Sequence, residues 1–140
     1  MMTPTAVRTR MAGAVTRAGM VRASGALTSS YVAGTVVDAT DFGMLVLLVR
    51  YTMGSGESAN AVVIKVEVST DGTTFYRLTD NEATVTAREH TFAALSSPGT
   101  YDAVAIAIPI AGVTRVRVSA KETGVASNYG TCEIKYALGW

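Results

Sequence analysis

In VEVSTDGTTFYRL, Val66 to Leu78, the carboxylate of Asp71 stands beside Gly72 and among a row of hydroxyls, the side-chain chemistry that ligates hard cations. A calcium loop of the EF-hand kind needs several carboxylates at alternate positions and a distant bidentate Glu. Here Asp71 is the only acid between Ser69 and Asp80. Asp-Gly between two alternating runs marks instead the corner of a β-hairpin, because the turn needs positive φ, which Gly adopts freely and Asp tolerates. Asp71 and Gly72 are therefore expected to form a turn and to hold no ion.

No other residue pattern makes a stronger case for catalysis. The single histidine, His90, shares a strand face with Thr84, Thr86 and Arg88. There is no G-x-S-x-G elbow, so the imidazole is expected to be solvated. GSGES, Gly54 to Ser58, lacks the Gly-Lys-Ser/Thr ending that cradles phosphate and reads as a loop between strands. One His and one Cys cannot build a zinc site in one chain. Cys132 alternates with Ile134, Tyr136 and Leu138, which makes it a buried strand residue, and with one cysteine no intrachain disulfide forms. No catalytic residue, metal site or cofactor is expected.

The arginines point to binding. Residues 1–34 contain Arg8, Arg10, Arg17 and Arg22 and no acid, leaving eight bases against eleven acids in the remainder and a net charge of +1. A basic arm on a mildly acidic body seeks something acidic. Single-strand nucleic-acid binding calls for stacking aromatics, and none lies near these arginines, so a protein surface is preferred over nucleic acid as their partner. Arg115 and Arg117 share one face of a later strand, where charge ordinarily keeps a sheet soluble and its edges unpaired.

The elements that must position these side chains are predicted to be strands. Residues 1–30 hold no steady apolar stripe, and Gly13 and Gly19 each cost a helix about 1 kcal/mol relative to Ala. An extended or partly helical arm, 1–30, is expected. From Tyr31 the chain turns to β-branched blocks separated by Gly, Asn, Asp and Pro. Strands are predicted over 31–39, 44–52, 60–70, 73–79, 83–94, 103–110, 113–121 and 130–139, about eight in all.

Alternation gives each strand one apolar face. Val62, Ile64, Val66 and Val68 oppose Lys65, Glu67 and Ser69; Val116 and Val118 oppose Arg115 and Arg117; and Val104, Ile106, Ile108 and Ile110 oppose Ala105, Ala107 and Pro109. That is the pattern of an all-β, two-sheet antiparallel sandwich, 31–140. Residues 44–49, MLVLLV, are apolar on both faces, so their strand is central or covered by a second body. Pro109 places its strand at an edge or a bulge.

Composition agrees. The chain has 140 residues, one domain's worth, of which 49% are hydrophobic and 16% charged, which argues against disorder of the whole. MLVLLV is stopped by Arg50, far short of the roughly 20 residues of a membrane span. The Arg-rich, acid-free start has the look of a transit peptide, while Arg17 and Arg22 interrupt any secretory core, and the segment is expected to work in the mature protein.

The span GTVVDATDFGMLVLLVRYTMGSGESANAVVIKVEVSTDGTTFYRL, Gly34 to Leu78, with IPIAGVTRVRVSAKETG, Ile108 to Gly124, resembles small structural proteins of tailed bacteriophages. The shared features are a short strand ending in Asp, an apolar strand ending in a Tyr near Gly and Ser, the VEVSxDGxxF hairpin and a late RVRVxAKE strand. The resemblance covers roughly residues 30 to 139. It implies a jelly-roll-like cement or decoration protein on the capsid surface, made in the host cytoplasm. Such a protein sits between subunits of the major capsid protein or another virion protein, as a homo-oligomer with a trimer favoured, and its arm clamps neighbours. A neck, tail or baseplate component of the same fold is the nearest alternative. A carbohydrate-binding module is a second, with Phe75, Tyr76, Tyr101, Tyr129 and Trp140 as the aromatics to stack on sugar.

Overall fold

The computed structural model describes residues 17–81, 86–87, 89–91 and 99–139. It is an antiparallel two-sheet sandwich, and no helix occurs among the described residues. The first sheet, A, has the order β1 (Arg17–Ala26), β12 (Thr131–Gly139), β4 (Met44–Thr52), β10 (Thr100–Pro109). The second, B, has the order β2 (Val32–Ala33), β11 (Arg115–Thr123), β5 (Ala61–Ser69), β6 (Tyr76–Arg77). Two more short strands extend it, β3 (Val37–Asp38) on β11 and β9 (Glu89–Thr91) on β5. A separate two-stranded ladder joins β7 (Thr79–Asn81) and β8 (Thr86–Ala87).

The period-2 pattern builds the core. Leu45, Leu47, Val49 and Tyr51 of β4, Ile106 and Ile108 of β10, and Cys132, Ile134 and Leu138 of β12 face inward from sheet A. They meet Val62, Ile64 and Val66 of β5 and Val116, Val118 and Ala120 of β11. Each of these side chains is almost wholly removed from water, which contributes roughly 1.5–3 kcal/mol for a Val, Leu or Ile.

The segment expected as an arm is divided. Residues 1–16, with Arg8 and Arg10, lie outside the described residues, whereas Arg17–Ala26 is β1, paired with β12 from Arg17↔Leu138 to Ala26↔Thr131. Register shifts between Met20 and Arg22 and between Arg22 and Gly25 break the alternation, so that Val21 is the one fully buried strand residue in it. Those bulges explain why period-2 reading finds no strand here. Gly19 is a packing requirement: a Cβ built on it comes within 2.8 Å of the Tyr136 ring.

β4 is central in its sheet, between β12 and β10. Among the described strands β10, with Pro109, is the outer one on that side, and it shifts register between Asp102 and Ala105.

Candidate protein interaction face

The two-faced apolar run of β4 leads to the site. Its inward residues fill the core; its outward ones, Met44, Val46 and Leu48, lie on the open side of sheet A. Paired residues of an antiparallel ladder point to the same side, so the registers define rows across that side. One row reads Ala18, Ala137, Val46, Ala107. It is flanked by Met20, Lys135 and Leu48, and by Gly139, Met44 and Pro109. Leu48 keeps 46% and Met20 41% of its surface in water, and Ala18, Ala107 and Pro109 are exposed as well.

An open recess of about 420 Å³ lies against Ala18, Met20, Leu48, Lys135 and Ala137. Lys135 is the only charge in these three rows, with its Nζ 3.9 Å from Glu133 Oε1. Contiguous apolar surface rimmed by polar groups is a feature of sites that contact proteins, membranes or ligands.

The opposite side of the molecule is of another character. Outward from sheet B stand Lys65, Lys121, Arg115 and Arg117, and their charges are answered within the chain. Arg117 grips Glu67 with two N–H groups at 3.2 and 3.1 Å and lies 4.2 Å from the Phe75 ring centre. The guanidinium of Arg117, then the ammonium of Lys65, holds the Glu67 carboxyl below the usual carboxylate range against the opposing pull of burial. Arg115 donates to Asp38 Oδ1 at 2.9 Å, and the ammoniums of Lys65 and Lys121 lie 4.7 and 4.5 Å from the Tyr31 ring. Sheet B thus presents a face of internally paired charges, with Val63, Glu67 and Ser119 on it buried.

Of the arginines proposed for partner binding, Arg17 and Arg22 fasten β1. Arg17 donates to Asp38 O at 3.2 Å and lies 5.3 Å from the Phe42 ring, and Arg22 donates to the carbonyls of Cys132, Gly25 and Ala26. Asp71 and Gly72 lie in the loop joining β5 to β6, with Gly72 at φ 78°. That loop is longer than a two-residue turn. Its geometry rests on Asp71 Oδ1, which accepts from the N–H groups of Thr73 and Thr74 at 2.8 Å and from Ser69 Oγ at 2.9 Å. The Thr74 N–H, then that of Thr73, keeps the carboxyl below its ordinary range. These three contacts all fall on Oδ1 and fix the loop around it.

Sequence reasoning missed two buried carboxylates at the other end of the sandwich. Glu57, inside the GSGES loop, accepts from the N–H groups of Ala126 at 2.6 Å, Ser127 at 3.2 Å and Asn128 at 3.3 Å. The Ala126 N–H above all, with those of Ser127 and Asn128, holds its carboxyl below the usual range. Glu122 accepts from the Tyr51 hydroxyl, from Asn60 Nδ2 at 3.1 Å and from Gly130 N at 2.7 Å. Burial, reinforced by the Glu122 carboxylate, pushes the Tyr51 phenol well above its ordinary value. The signal for Glu122 was parity: it continues the inward series Val116, Val118, Ala120, which the predicted strand end at 121 cut short.

These groups tie loops together, Glu57 holding residues 126–128 and Glu122 holding Asn60 and Gly130. Cys132 is buried, and that burial pushes its thiol up to about 11, leaving it unreactive near neutrality. His90 pairs with Ile64 on the sheet B ladder, and its side chain lies outside the described residues, as do Thr84 and Arg88. Among the described residues no three His, Cys, Asp or Glu side chains gather as a metal site requires, and no helix is long and apolar enough to cross a membrane.

No protein-family model matches the chain, and no curated protein matches it. Among solved structures, the SPBc2 prophage-derived protein YomS is similar over 91% of this chain and 95% of its own, with a TM-score of 0.51 and 14% identity. Infectious bursal disease virus, Gx strain, is similar over 90% of this chain, with a TM-score of 0.53 and 8% identity. The VP2 subviral particle of infectious bursal disease virus is similar over 90%, with a TM-score of 0.51 and 8% identity. In both of these virus structures the chain spans 32% of the matched chain's length. At such identities the likeness is one of fold: a β-sandwich shared with a prophage-derived protein and with proteins of virus particles.

Proposed function

We propose that this chain is a non-enzymatic structural protein of a tailed-phage virion, and within that class a capsid cement or decoration protein. The observation that carries the reading is the open side of sheet A. A sandwich with its core complete still presents Met20, Met44, Val46, Leu48, Ala107 and Pro109 to solvent in adjoining rows. Burial of that surface against a neighbour is the favourable outcome. The fold's likeness to a prophage-derived protein and to a viral subviral particle supports the class.

In this reading Arg8 and Arg10 extend the contact to a virion neighbour, the major capsid protein first among them, while Arg17 and Arg22 anchor the root of the arm on β12. Two of the aromatics named for the sugar-binding alternative stand at opposite ends of β5. Tyr76, 66% exposed, pairs with Val68 at one end of β5. Tyr129, 44% exposed, adjoins Gly130, which binds Glu122 opposite Val62 at the other end. About six residues of strand, on the order of 20 Å, separate the two, too far for one sugar platform.

Copy number tests the proposal. Quantitative mass spectrometry of purified particles should find this chain in hundreds of copies, whereas a connector or baseplate ring gives on the order of a dozen. A count near a dozen moves the chain to the neck, tail or baseplate. Absence from the particle overturns the virion reading altogether.

A further inference from the structure

We propose that the open side of sheet A packs against the same side of a second copy of this chain, across a two-fold axis parallel to the strands and midway between β12 and β4. This rests on reading that face as an assembly contact and names the neighbour that meets it.

The strand order sets the axis. Among the described strands β12 and β4 are the inner two of sheet A, between β1 and β10. A two-fold contact uses one patch twice, so that residue i meets j and j meets i. An axis along the strands lays β12 of each copy over β4 of the other and keeps every row over its own counterpart. An axis across the strands at the middle of the face reverses the rows and sets Arg50 and Glu133 against Val46 and Ala137. The twist of stacked sheets, about 30°, displaces the outer strands most and the inner pair least.

The register of that inner pair is self-complementary in size. Within one chain Gly139 pairs with Met44, Ala137 with Val46 and Lys135 with Leu48. The two-fold turns each of these pairs into a contact between copies. Where β4 presents the bulk of Met44 and Val46, β12 presents only Gly139 and Ala137. The recess of about 420 Å³ is lined from β1, β12 and β4, of which β12 is the middle strand, so it opens over β12. That is where the axis delivers the partner's β4, with its exposed Leu48.

It is self-complementary in charge as well. Glu133 and Arg50 pair on the ladder in the row next to Lys135 and Leu48. The two-fold brings the partner's Arg50 over Glu133 and the partner's Glu133 over Arg50, an alternating ring of four charges. Lys135 lays its carbon stem on the partner's Leu48, and its ammonium, 3.9 Å from Glu133 Oε1, stays beside the ring.

The area suffices. Four strands about 4.8 Å apart and nine residues long cover roughly 19 by 30 Å, about 570 Å² from each copy, which together exceed the ~1,000 Å² of a specific interface. A face that matches itself joins two copies, whereas the trimer implied by the resemblance needs two different patches.

The test uses the full-length protein and the variants Arg50→Glu and Glu133→Arg, with mass read by sedimentation velocity. The parent should be a dimer in the micromolar range. Arg50→Glu puts two acids in the charged row and Glu133→Arg two bases, so each variant alone meets its like across the axis and should dimerise at least ~100-fold more weakly. Mixed one to one, they should form a heterodimer of near-parental affinity, because an acidic row then lies over a basic one. Circular dichroism verifies each fold beforehand. If a charge variant fails to fold, singly substituted Val46→Cys and Ala137→Cys chains are mixed and treated with a short bismaleimide, with the buried Cys132 silent. The expected product is then a covalent dimer of one chain of each kind. A parent that is monomeric or trimeric, single variants that dimerise as the parent does, no recovery on mixing, or no covalent product overturns the proposal. Copy number in the particle is read separately, so loss of the dimer leaves the virion reading standing.

Discussion

At the scale of single residues, two carboxylates and one glycine hold the loops. Glu57 receives three backbone N–H groups, and its carboxyl is held below the value of a free Glu, chiefly by the Ala126 N–H. The folded state therefore binds fewer protons than the unfolded one near that range. Its stabilising contribution is complete above the unfolded value of about 4.3 and disappears as pH falls through the lower folded value. Glu57→Gln should lower the melting temperature at pH 7, and the gap from the parent should narrow as both are melted at pH 3.5; a gap independent of pH would show that the charge is immaterial. Gly72 holds φ 78° in the β5–β6 loop, so Gly72→Val should cost about 1–3 kcal/mol in urea unfolding, and an unaltered midpoint would contradict the left-handed turn. The Asp-Gly corner was legible because its chemistry is local. Glu57 was not, since its partners lie some seventy residues on and no local pattern announces them.

Among the elements, the long strands were legible because each buries one face and alternates. Met44–Thr52 was predicted with the same bounds at which it is found, and Ala61–Ser69 and Thr131–Gly139 within a residue at each end. β1 escaped for a physical reason: two register shifts erase its alternation, and Gly19 and Gly25 argue against helix and strand alike, although Gly19 lies against Tyr136 of β12. Gly19→Val should drive the new side chain into Tyr136 and loosen β1 from β12. Hydrogen exchange should then accelerate at Met20 and Arg22 while the β5–β11 amides stay protected; unchanged protection of β1 would show that the ring gives way at no cost.

For the molecule as a whole, the division of labour between the two outer faces is what matters. Sheet B answers its charges internally, whereas sheet A offers three apolar rows with one ammonium among them, next to the row of Arg50 and Glu133. The alternation of β4 already declared that its outward side was apolar; whether another body covers that side leaves no periodicity in one chain. An assembly contact on this face would be no part of the monomer's stability. The most direct measurement is competition: Leu48→Asp and parent chains are co-expressed during particle assembly, and their ratio in purified particles is compared with that in the lysate. Leu48→Asp should be strongly depleted from particles while its isolated unfolding free energy stays within about 0.5 kcal/mol of the parent. Equal incorporation of the two chains would contradict it.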